Sequence, residues 1–112
     1  MLILRLILAA HLAALTVYTA IVISNHGINL LPVFFGDIAA MTWPGQFNFD
    51  FLGFLILSAL WTAWRNNFSA LGLLLAVVAL FGGMMFLSIY LLILSFSARS
   101  IQDILLGNAR NT

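Results

Sequence analysis

From Phe68 to Phe96 the chain carries no charged residue, a run of about 29 residues that would measure roughly 43 Å as one straight α-helix. The hydrocarbon core of a bilayer is about 30 Å thick, so such a helix must tilt, bend or protrude. Gly82-Gly83 lies near its middle and is the expected bend, because glycine resists backbone deviation least and lets a neighbour approach closely.

The rest of the chain agrees with a lipid setting. Of the 112 residues, 64% are hydrophobic and 6% charged, where soluble domains run near half apolar and about a quarter charged. A chain this short buries too small a fraction of itself to hide that surface in a core. Its charges are Arg5, Arg65, Arg99 and Arg110 against Asp37, Asp50 and Asp103. A net charge of +1 provides no footprint for nucleic acid, and no basic cluster grips anionic headgroups. The absence of cysteine excludes disulfides, thiolate nucleophiles and sulfur-rich metal sites.

Two further spans are readable. The first, over residues 4–24, contains the apolar run Leu6 to Ser24, broken only by His11, Thr16, Tyr18 and Thr19. A signal peptide competes with this reading, but no small-x-small cleavage site is present and the run continues past Ala20. The second, over residues 47–64, ends in Trp61, Trp64 and Arg65, residues that anchor well where acyl chains meet headgroups. The connector Arg65-Asn66-Asn67 is so short that the third span, over residues 68–96, must return antiparallel to the second.

Between the first two spans, residues 30–43 are too short to cross and carry Pro32 and Asp37, which fits an interfacial segment. In the tail, residues 97–112, Ile101, Ile104 and Leu105 recur at helical spacing before Gly107, which predicts a short amphipathic C-terminal helix. The expected fold is therefore an all-α membrane protein: a single domain of three transmembrane helices. Three crossings put Arg5 and Arg65 on one side, and Arg99, Arg110 and all three Asp on the other. The arginines tie, and the N-terminal amine tips the first pair toward the cytoplasm.

Ionisable residues within a span are functional candidates because their burial is costly. His11, Tyr18 and Asn25 follow one another at seven-residue steps, a polar stripe that should face protein or water. Hydrogen bonding of His11 and Tyr18 across a helix interface outweighs a proton relay. His26 would sit near the opposite surface, too far away to share a metal ion with His11. Asp50 is expected in the first turn of the second span, stabilised by the helix N-terminus and paired with His26 or Arg99. Asp37 is expected at the interface.

Gly72, Ala76, Ala79 and Gly83 form a stripe of small residues on the third span, the ordinary device for close helix association in lipid. Ala9/Ala13, Ala10/Ala14 and Ala59/Ala63 offer matching faces. No nucleophile with a base, phosphate loop or paired intramembrane carboxylates occurs, and no cofactor or metal is expected.

The run Trp43-Pro44-x-x-Phe47-x-x-Asp50, followed by a span ending in Trp and by Gly83-x-x-Phe86-x-x-x-Tyr90-Leu91, resembles a group of small uncharacterised bacterial inner-membrane proteins with about three spans. The resemblance covers residues 30–96; the third span lacks the internal proline of that group, and the polar tail is longer. It implies a bacterial inner-membrane location and no mechanism. The expected function is that of a non-enzymatic accessory or assembly subunit, with lipid, a membrane-protein partner or a second copy as its neighbours. A homo-oligomeric transporter or channel with His11, Tyr18 and Asp50 along its path is the second reading.

Overall fold

The computed structural model describes residues 1–111, and the side chains of residues 1–109. Its elements run α1 (Leu2–His26), α2 (Leu31–Ala40), α3 (Trp43–Arg65), α4 (Ala70–Ser97) and α5 (Ile101–Leu106), closed by a 3-10 turn at Gly107–Asn111. No strand occurs among the described residues. Three helices, α1, α3 and α4, are long and apolar enough to cross a membrane. The ten residues of α2 span only about 15 Å, in keeping with a segment that does not cross.

Local chemistry accounts for the boundaries. Pro44 occupies the first turn of α3 after an extended Thr42, a position where proline's missing N–H is not needed. The helix therefore starts at Trp43, a turn before the expected residue 47. The Ser69 side chain accepts from the Gly72 N–H at 3.0 Å and caps α4. Ser100 caps α5 by accepting from the Asp103 N–H at 3.2 Å. Both satisfy amides that have no partner inside the helix.

The decisive feature is the middle of α4. Gly83 has φ 54° and ψ −137°, a combination open to glycine and closed to residues with a Cβ. There the helix reverses. Residues 70–82 form an outgoing arm packed antiparallel to α3, and residues 84–97 form a returning arm. Thr16 of α1 meets Met85 with a 3.4 Å oxygen–sulfur contact, and Arg5 of α1 meets Ser95. The returning arm thus runs antiparallel to α1 and parallel to α3. A straight α4 would carry Tyr90 about 30 Å from Ala70, yet the Tyr90 hydroxyl lies 3.0 Å from the Asn66 amide.

This reversal changes the distribution of charge. Arg5, Arg65, Arg99, Asp103 and the Gly107–Asn111 turn all gather at one end, called here the arginine end. His26, Asp37 and Asp50 lie toward the other. The expected placement of Arg99 and Asp103 opposite Arg5 and Arg65 is corrected on this point, and the side chain of Arg110 lies outside the described residues. The expected bend is present, but as a reversal rather than a tilt.

Candidate functional site

At the arginine end, arginine side chains close two helix C-termini. The last carbonyls of a helix have no intrahelical donor and carry partial negative charge. Arg5 lies at the start of α1, where its Nη2 donates to the Ser95 carbonyl at 2.6 Å and its Nε to the Ser95 hydroxyl at 3.1 Å. Its guanidinium also lies 4.2 Å from the centre of the Phe96 ring, a cation–π contact. Arg65, the last residue of α3, does the same for α5. It donates to the Ile104 carbonyl, to the Asp103 carbonyl at 3.3 Å and to the Tyr90 hydroxyl at 3.3 Å.

Trp61 completes the closure of α5. Its indole N–H donates to the Leu105 carbonyl at 2.9 Å, and its ring meets Tyr90 edge-on at 6.1 Å. The sequence marks Trp61 and Arg65 as interface anchors; the structure aims both at α5 and the returning arm, while Trp64 is exposed. Gly107 lets the Arg65 stem pass, since a Cβ there would stand 2.6 Å from the Arg65 Cγ. Ile104 is buried at 2% exposure, whereas Ile101 and Leu105 remain exposed. The expected amphipathic helix is thus one turn and a half, held by a single apolar residue and by donors from α3.

The small-residue stripe is consumed within the chain. Gly72 and Ala79 are buried, and Ala76 and Gly83 half-buried. A Cβ at Gly72 would stand 2.7 Å from the Asn66 Cβ, and one at Gly83 would stand 3.2 Å from the Phe51 ring. Ala63 of α3 is buried opposite. Ala9, Ala10, Ala13 and Ala14 stay exposed.

The polar candidates do not converge. His11, Tyr18 and Asn25 are all exposed, Tyr18 at 70%. The expected cross-helix hydrogen bond of His11 and Tyr18 is not made, because α1 turns Leu8, Leu12, Leu15 and Thr19 toward its neighbour instead. Asp50 is exposed and lies eight residues into α3, beyond its first turn. Pairing of Asp50 with Arg99 is precluded by the reversal of α4, and no bond to His26 forms. Asp37 is half-buried; a Cβ at Gly45 would overlap its carbonyl, and Asn48 ties α3 to α2 through the Phe34 carbonyl at 3.1 Å.

No group of three or more potential ligands for a metal occurs among the described residues. A groove of about 400 Å³ opens between the two arms of α4, lined by Leu75, Val78, Met85, Phe86 and Ile89 among others. Its lining is apolar apart from Tyr90, whose hydroxyl is engaged by Arg65 and Asn66. Sequence reasoning missed the arginine-end closure. Its only trace was the coincidence of Arg65 with a short polar tail. No family model matches the chain, and no curated protein or solved structure matches it.

Proposed function

We propose that the chain is a bacterial inner-membrane protein in which α1 and α3 cross the bilayer, α2 lies at the outer surface and α4 dips in from the cytoplasmic side as a re-entrant hairpin. Each arm of α4 is about 20 Å long, short of the 30 Å needed to cross. The irregular backbone at Gly83 is acceptable at depth because it is packed on protein, against Phe51 and Leu55, rather than on lipid. Positive charge near span ends is retained in the cytoplasm, and Arg5, Arg65 and Arg99 share one end, so that end faces the cytoplasm with both termini. The location follows the resemblance of residues 30–96 to bacterial inner-membrane proteins.

Within this arrangement the protein is a non-enzymatic accessory or assembly subunit that docks on other membrane helices through α1. One observation carries this reading. From Ala20 to His26 α1 is exposed on every face, and over its remaining length it is covered only along the stripe that meets α4. A spanning helix with His11 and Tyr18 turned outward is incomplete, because polar side chains in hydrocarbon face protein or water. Affinity purification in mild detergent tests the docking role: defined membrane proteins should co-purify. Recovery of the chain as a bare monomer, free of any other membrane protein and of a second copy, at every expression level would refute it. A homo-oligomeric channel is the second reading, favoured by the outward placement of His11, Tyr18 and Asp50 alike; a strictly monomeric chain in bilayers would remove it.

A further inference from the structure

The uncovered side of α1 carries a seam. Ile7, His11, Ala14, Tyr18, Ile21 and Asn25 alternate at steps of four and three, and all six are exposed. This is the heptad rhythm by which two helices wrap around each other with a left-handed supercoil. Every second member is polar. The residues that α1 turns toward α4, Leu8, Leu12, Leu15 and Thr19, form a separate stripe, so the seam is free while α1 stays attached to its own chain.

We infer that the seam is the interface with a second copy of this chain, two α1 helices packing in parallel about a two-fold axis along the membrane normal. The inference rests on reading α1 as the docking helix and names its partner. The first argument is orientation. The arginine end sets one direction for every copy, so two copies meet with their α1 helices parallel and like positions at like depth. A two-fold interface then sets His11 against His11, Tyr18 against Tyr18 and Asn25 against Asn25.

The second argument is chemical. Neutral histidine, tyrosine and asparagine each carry both a donor and an acceptor, so each can hydrogen-bond to its own counterpart. An Asp, Arg or Lys at these positions would repel its counterpart, and the seam contains none. A polar residue at one such position is also a known device for choosing register and partner number. Ala14, between His11 and Tyr18, lets the backbones approach near the middle of the crossing. Among the described residues no segment covers the seam, whose six members are all exposed.

The chain has no cysteine, so each introduced cysteine is the only one present. Ala14→Cys and Ile21→Cys lie on the seam, whereas Ala13→Cys and Ala20→Cys lie on other exposed faces of α1. The full-length variants are to be oxidised mildly, both in the membranes that express them and after reconstitution in phosphatidylcholine vesicles. The expected result is a product of twice the chain mass, several-fold more abundant for the seam pair than for the other pair in both settings. His11→Leu and Tyr18→Phe should each reduce the dimer fraction, read by energy transfer between labelled copies, without shifting the thermal midpoint of the protomer, because neither side chain bonds within its own chain. Equal yields at the four positions, or no product at all, would overturn the seam as the interface with a second copy, whereas docking of α1 on another protein is judged by the co-purification. A seam product of another mass, seen only in the expressing membrane, would overturn the second copy but leave docking through α1 intact.

Discussion

The Tyr90 hydroxyl stands 3.0 Å from the side-chain amide of Asn66, although about 30 Å of helix would separate Tyr90 from the start of α4 if that helix were straight. One glycine, Gly83, makes the difference. The short distance brings the end of the longest apolar run back to the loop where it began, and carries Arg99 and α5 to the end that already holds Arg5 and Arg65.

Topology is the first consequence to test. Single cysteines at Asn67 and Ala98, in the full-length chain within sealed vesicles, should react with an impermeant maleimide from the same face. Labels at Asn29 and Gln46 should share the other face. Reaction of Asn67 and Ala98 from opposite faces would mean that α4 crosses in one direction and that the reversal does not exist in the bilayer.

Substitution of the glycines separates backbone need from space. Gly83→Ala places a Cβ at φ 54° and should destabilise the protein by about 1 to 3 kcal/mol, seen as a lower thermal midpoint in detergent. Gly82→Ala is no mild control, because Gly82 is half-buried and its Cβ would stand 2.7 Å from the Phe86 Cβ. Gly53 is the better control. Its Cβ would meet nothing within 4 Å, so Gly53→Ala should be neutral or raise stability by up to about 1 kcal/mol through helix propensity. Equal losses at Gly53 and Gly83 would remove the special role of Gly83.

Tyr90 accepts from two donors, Arg65 and Asn66. Tyr90→Phe keeps the ring contact with Trp61 but withdraws the acceptor, and should cost about 1 to 2 kcal/mol. Arg65→Lys keeps the charge but loses the fork that reaches Asp103, Ile104 and Tyr90 together. Amide exchange over Ile101–Leu106 should accelerate strongly in Arg65→Lys and less in Tyr90→Phe. Unchanged exchange there in Arg65→Lys would show that α5 is held by Trp61 and Ile104 alone.

The Arg5 contacts predict an order of effects. Ser95→Ala removes one acceptor but leaves the backbone carbonyl that Arg5 also reaches, and should cost about 1 kcal/mol or less. Arg5→Ala removes both bonds and the Phe96 contact, and should cost more, about 1 to 3 kcal/mol. Chemical denaturation in detergent ranks the two; a Ser95→Ala loss equal to or larger than the Arg5→Ala loss would contradict the closure of the α4 C-terminus by Arg5.

Much of this protein was already determined by its sequence. Apolar runs of spanning length specify helices wherever backbone groups have only each other to bond with, so α1, α3 and α4 are visible in composition alone. The short run with Pro32 in its first turn marks α2, the Arg65-Asn66-Asn67 turn makes α3 and the outgoing arm of α4 antiparallel, and Gly82-Gly83 marks the weak point of the third run. What only the tertiary structure decided is the angle at that weak point. A glycine permits a tilt, a kink or a reversal at similar local cost, and the choice among them is made by contacts distant in sequence: Tyr90 with Asn66, Arg65 with α5, Arg5 with Ser95. Those contacts also settle which polar residues are used. Arg65, which read as an interface anchor, and Arg5, which read as a charge flanking the first span, are committed to helix ends. His11 and Tyr18, which read as internal packing, face outward, because α1 turns Leu8, Leu12, Leu15 and Thr19 toward α4.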